Sequence, residues 1–229
     1  MRPYASPLIE GFRGAPFQQL RRRFQPVVRL AVHKEGFHVG PRWTRYEPAG
    51  WAPPRGWLLK LYACLGPASY WAGILKLISA FEESKVTWKF YNASSGYERP
   101  DKIVFYTESP RKLRQLVRKL RGLLGRSRFH KMHHAATTHQ MGLEGPTSAG
   151  LYVGCDPTFM PRLSFRMYRT ICYAWAEQNR GYLARLPGGG ERWFLRMNLS
   201  SKHEGPASLN PDPANIRYVK RYWRLIMPG

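Results

Sequence analysis

Cations dominate the reactive side chains of this sequence, and several lie inside short apolar stretches. Lys60 falls within Leu59-Lys60-Leu61-Tyr62 and Lys89 within Val86-Thr87-Trp88-Lys89-Phe90. Arg99 and Lys102 flank the start of a third stretch, Ile103 to Thr107. Arg166 and Arg169 lie at the start of a helical pattern, where free backbone N–H groups also favour an anion. If these groups converge they bind phosphate strongly, and their crowding drives one lysine toward a usable base. The plainer reading leaves them as solvated strand and helix residues.

Other chemistries find less support. His130, His133, His134 and His139 cluster, but metal sites usually add cysteine or carboxylate on defined elements. No metal and no cofactor is expected, and His134 is kept as a candidate proton donor. Cys64, Cys155 and Cys172 are odd in number and far apart, which reads as reduced thiols rather than a disulfide framework. The sequence has no Gly-x-Ser-x-Gly, phosphate loop or dinucleotide fingerprint. Its acids are scarce and scattered, which disfavours paired-carboxylate catalysis.

The overall balance agrees with an anionic partner. Thirty-seven Lys and Arg face 14 Asp and Glu, a formal charge of +23 over 229 residues. Hydrophobic residues at 43% suffice for a packed core. No run reaches the roughly 18 apolar residues of a membrane span, and no secretory signal is seen, so a soluble, cytoplasmic protein without membrane partners is expected. Nucleic acid fits the charge, but zinc-finger, aromatic RNA-binding and helix-turn-helix patterns are missing.

An α+β fold is expected to position these groups. Residues 1–25, with Arg21-Arg22-Arg23, read as a basic flexible arm, and Val27–Val32 with Phe37–Trp43 as a hairpin. Trp57–Cys64 suits a strand with Leu59, Leu61 and Ala63 on one face and Lys60 and Tyr62 on the other. Pro67–Ser84 is helical, Val86–Tyr91 and Lys102–Thr107 are strands, and Ser109-Pro110 opens a leucine-striped helix that Gly125 stops. This strand–helix–strand–strand–helix unit makes the Lys60 and Lys89 strands neighbours if its first crossover is right-handed. A second, helical and irregular half completes the core. His130–Pro161 is irregular, and Ser164 caps a helix to about Asn179 with Phe165, Tyr168, Ile171, Cys172 and Trp175 inward. Gly188–Gly190 is a turn before a strand at Trp193–Leu199. Residues 26–200 form the main domain and 201–229 a Pro- and Arg-rich tail.

Five segments in order resemble the HopA type of type III secretion effector family, whose relatives occur in biosynthetic clusters for class V lanthipeptides and thioamide-bearing peptides. They are Leu59–Tyr62, Val86–Phe90, Arg99-Pro100-Asp101-Lys102 running into Ile103–Tyr106, Gly150–Pro157 closing in Asp-Pro, and Ser164-Phe165-Arg166-Met167-Tyr168-Arg169. The resemblance spans about residues 55–185. Arg166 stands where the family usually has Gly, and both ends of the chain depart from the pattern.

The resemblance implies a lyase that eliminates phosphate from phosphoserine or phosphothreonine of a ribosomal precursor peptide, leaving a dehydroamino acid. A separate kinase-like partner installs the phosphate, and the peptide carries an acidic leader. On this reading Lys89 is the base, and Tyr62 protonates the leaving group, with His134 second. Arg99, Arg169 and Lys60 hold phosphate, with Lys102 and Arg166 beside them. Asp101 organises Arg99, and Tyr106 and Ser164 support the site. The alternative is a non-catalytic peptide-binding scaffold that recruits the kinase.

Overall fold

The computed structural model describes residues 11–52, 59–92, 102–125, 129, 139–140, 150–155, 174–176, 178–187 and 190. Residues 11–13 are helical and lead into a longer helix, α1 (Ala15–Ala31). Phe17 and Val28 are buried, and Leu20 and Phe24 pack on the same core, a spacing that suits one helix face. Arg22, Arg23 and Arg29 are exposed. Pro26 sits inside the helix on its exposed side, where the lost backbone bond meets water. Residues 11–25 are therefore a packed element and not a loose arm, and Val27–Val32 is not a strand.

The hairpin comes later, from β1 (Phe37–Val39) and β2 (Trp43–Tyr46). Gly36 precedes it at φ +84°, and a Cβ there would meet the Glu47 carbonyl oxygen at 2.9 Å. β3 (Leu59–Ala63) follows, then a short 3-10 turn (Pro67–Ser69) and α2 (Tyr70–Phe81). β4 (Trp88–Tyr91) and β5 (Ile103–Thr107) lead into α3 (Pro110–Leu124). The start and stop of α3 are as the sequence predicts. Ser109 Oγ accepts the Lys112 N–H at 3.2 Å, and Gly125 ends the helix at φ +73°.

The segment read as irregular supplies two strands, β6 (His139–Gln140) and β7 (Leu151–Cys155). β7 pairs with β3 along all five residues. Its glycines suggest a loop, but the backbone of β3 offers a free edge that a Gly-containing strand satisfies. Residues 174–176 and 178 are helical, followed by α4 (Arg180–Ala184). Trp175, expected inward, is 37% exposed and edge-on to Tyr182. Gly190 is helical and buried rather than part of a turn. Phe165, Tyr168, Ile171, Cys172, Gly188, Gly189, residues 193–199 and the tail lie outside the described residues.

The described strands form one seven-stranded sheet in the order β1-β2-β4-β5-β3-β7-β6, every neighbouring pair antiparallel. The chain is α+β. β3 and β4 run parallel to each other, but β5 is inserted between them, so the Lys60 and Lys89 strands are not neighbours as expected. An inserted strand gives both flanking strands an antiparallel partner in place of one parallel ladder, the split β-α-β arrangement. Leu59, Leu61, Ala63, Trp88, Phe90, Ile103 and Phe105 point to one face and share a core with residues of α1, α2 and α3. On the opposite face Tyr62, Cys64 and Val104 form a separate cluster, with Trp43 and Tyr106 against it.

Candidate functional site on the second face of the sheet

The period of two in each strand puts alternate residues on that second face. Register then aligns them in rows. Arg45 of β2 lies opposite Lys89 of β4, Lys89 opposite Val104 of β5, Val104 opposite Tyr62 of β3, and Tyr62 opposite Tyr152 of β7. In the next row Tyr106 lies opposite Lys60.

Three cations from three strands converge on the ring of Tyr106. Lys60 Nζ is 5.5 Å from the ring centroid, Lys89 Nζ 5.8 Å and Arg45 Cζ 5.8 Å. Lys89 Nζ also sits 4.4 Å from the Trp43 ring, and Arg45 Cζ 5.0 Å from that of Trp51. Aromatic faces attract cations by about 0.5–2 kcal/mol each, which helps hold three like charges together. Lys60 is only 8% exposed. Like charges directly opposite on neighbouring strands are destabilising, so the Arg45–Lys89 pair needs compensation. Part comes from Glu47, whose Oε1 lies 2.5 Å from Arg45 Nη2. Glu47 balances one of the three cations, and Arg45 Nε is buried without a hydrogen-bond partner. The arrangement suits an oxyanion with several acceptor oxygens.

The residues singled out from sequence divide three ways. Lys60, Tyr62, Lys89 and Tyr106 are brought together, and Tyr106, expected as support, is at the centre. Lys102 is placed elsewhere. It is fully buried, its Nζ 3.8 Å from Cys64 Sγ and 4.1 Å from the Phe12 ring centroid, and it precedes β5, four residues or roughly 13 Å from Tyr106. It does not reach the cluster as a ligand. Arg99, Asp101, His134, Ser164, Arg166 and Arg169 lie outside the described residues. His139 is on β6.

Sequence reasoning missed Arg45, Trp43, Trp51 and Glu47. A signal was present in Trp43-Thr44-Arg45-Tyr46, where Thr44 and Tyr46 are buried and the alternate residues are half-buried. Reading that tetrapeptide as a strand puts Trp43 and Arg45 together on the other face.

Among the described residues no group of three or more His, Cys, Asp or Glu is placed to hold a metal ion. No described helix is long and apolar enough to cross a membrane.

No family model matches the chain, and no curated protein matches it in sequence. Solved structures do. An effector protein from Pseudomonas syringae pv. tomato strain DC3000 superposes with a TM-score of 0.58 at 14% identity, covering 80% of this chain and 77% of its own. One from Pseudomonas syringae pv. syringae strain 61 gives 0.55 at 15% identity, covering 82% and 78%. The shared property is the fold. At this identity the likeness carries no residue roles, so function is argued from the site.

Proposed function

We propose that the chain is a carbon–oxygen lyase acting on phosphoserine or phosphothreonine of a peptide, without a cofactor. The observation that carries this reading is the convergence of Arg45, Lys60 and Lys89 on the Tyr106 ring, beside Tyr62. The resemblance of five sequence segments to the HopA-type effector family, which implies a lyase, supports it, and the fold shared with the two effector proteins is compatible with it.

In the proposed step Lys89 Nζ takes the α-proton of the phosphorylated residue. The C–H electron pair becomes the Cα–Cβ double bond, and the Cβ–O bond breaks. The bonding pair leaves with phosphate, giving a dehydroamino acid and inorganic phosphate. Arg45 and Lys60 stabilise the charge that builds on the departing oxygens, an interaction stronger in the transition state than in the ground state. Tyr62 supplies a proton to the leaving oxygen. The proposed base rests on position, central in the row and half-buried. Arg99 and Arg169 complete the phosphate site in this proposal, and a kinase-like partner supplies the phosphorylated peptide.

The test is incubation of the protein with a synthetic phosphoserine peptide, read by mass spectrometry. Loss of phosphoric acid and capture of the product by an added thiol are expected. An unchanged peptide, or one that loses phosphate but regains the serine hydroxyl, contradicts the reading.

A further inference from the structure

A groove of about 640 Å³ lies where α3 crosses the end of the sheet. Lys112, Gln115, Leu116 and Lys119 line one wall, a spacing of three, four and seven residues that puts them on one helix face. Phe81 and Val86 add apolar surface, and Trp51 and Tyr106 line the side toward the cation cluster. Those two aromatic residues also contact Arg45, at 5.0 and 5.8 Å from its Cζ, so the groove and the cluster share a border.

The groove is charged in one sense. Among the described lining residues, Lys85, Lys112 and Lys119 face one acid, Glu108, which is bonded to Lys112. Lys119 Nζ is engaged by the Ala80 carbonyl at 2.9 Å, and Lys85 is exposed. Thr107 in the lining is only 6% exposed, and its Oγ1 is buried with no hydrogen-bond partner. A buried hydroxyl normally finds a partner, so a ligand with polar groups fits this wall better than an apolar one.

We infer that this groove binds an extended, acidic segment of a peptide whose reacting residue lies at the Arg45–Lys60–Lys89 cluster. Lys112 and Lys119 are seven residues apart, about 10 Å along the helix, which matches about three residues of extended chain. Two acidic side chains two or three residues apart span that distance. Thr107 Oγ1 bonds the peptide backbone, and Trp51 and Leu116 cover its apolar atoms. Acidic flanking residues recognised here select the peptide, and the cluster does the chemistry. The inference deepens the proposed lyase reading and rests on it for the neighbouring occupant, though groove binding itself requires no elimination.

The test uses a fluorescein-labelled acidic peptide with serine in place of phosphoserine, so elimination plays no part in the readout. Anisotropy titrations compare the full chain with the Lys85→Glu/Lys112→Glu double variant. The variant is expected to bind at least about fivefold more weakly, because two rim charges are reversed. The milder Lys85→Ala/Lys112→Ala variant provides the same comparison if charge reversal beside Glu108 disturbs folding, checked by circular dichroism. Unchanged affinity in both variants overturns the inference. So does tighter binding of an oligonucleotide of equal charge that is lost in the same variants. Groove binding without phosphate loss from a phosphorylated peptide would retain the groove assignment and reject the lyase.

Discussion

The two faces of the sheet are built from the same strands and do opposite work. Toward α1, α2 and α3, Trp88 stacks on Phe90 and Phe105 with ring centroids 5.6 and 5.7 Å apart, Phe81 of α2 tilts against Trp88 and Phe105 at 6.3 and 5.2 Å, and Leu59, Leu61, Ala63 and Ile103 complete an apolar layer. On the other face the same alternation presents Arg45, Lys60, Tyr62, Lys89 and Tyr106. One residue of register shift would exchange the two sets and destroy both. The fold-forming face fixes the register and thereby aims the cations. Substitutions on the first face should cost stability, and those on the second should cost function.

The largest separation is expected from Lys89→Ala. Removing the proposed base should lower elimination by about 10²–10⁴-fold, the usual contribution of general-base catalysis, while thermal unfolding changes little. Single-turnover assays beside a melting curve check this; equal loss of phosphopeptide affinity would make Lys89 a ligand instead. Phe105→Ala is the mirror experiment. It removes a fully buried ring and should destabilise the fold by about 3–5 kcal/mol, measured by urea unfolding. Arg45→Ala comes next, weakening phosphopeptide binding by about 1.5–3 kcal/mol, the worth of a charged hydrogen bond. An isothermal titration that finds no change would remove Arg45 from the phosphate site. Ser109→Ala deletes the α3 cap and should cost about 1 kcal/mol of stability with phosphopeptide affinity intact.

The smallest effect concerns acid. The Lys112 ammonium bonded to Glu108 holds that carboxyl below its ordinary value, with its backbone hydrogen bond and the Lys112 charge adding to the effect against desolvation. Because the folded value is the lower one, the pair contributes stability above the ordinary carboxylate range. That contribution is lost as pH falls through the folded value. Both partners are well exposed, so Glu108→Gln should change stability near neutral pH by less than about 0.5 kcal/mol. Melting curves taken through the acid range for both proteins check it.

Much of the central unit was legible because its signals are local. The β3 alternation, the α2 and α3 apolar stripes and the Ser109 cap each follow from neighbours within a few residues. α1 was not, because Pro26 and the arginine run mask a stripe through Phe17, Leu20, Phe24 and Val28 that becomes favourable only when packed on α2. β7 was not, because a strand containing Gly154 is stabilised by its ladder with β3 and not by its own propensity. In the site, Lys60, Tyr62 and Lys89 could be read from their strands. The face of Arg45 was legible from its tetrapeptide, but its place beside Lys89 was not, because that depends on β2 pairing with β4, more than forty residues away. The insertion of β5 between β3 and β4 is likewise a tertiary choice, and it made Tyr106 the centre of the site.

The most direct test of the central claim is a paired titration of one peptide in phosphorylated and unphosphorylated form against the full chain and Lys60→Ala. The second face of the sheet, if it holds a phosphoryl group, should bind the phosphorylated peptide at least about tenfold more tightly, consistent with one charged hydrogen bond or more. That preference should shrink in Lys60→Ala. Equal affinity for the two peptides, or a preference that survives the substitution unchanged, would contradict the account.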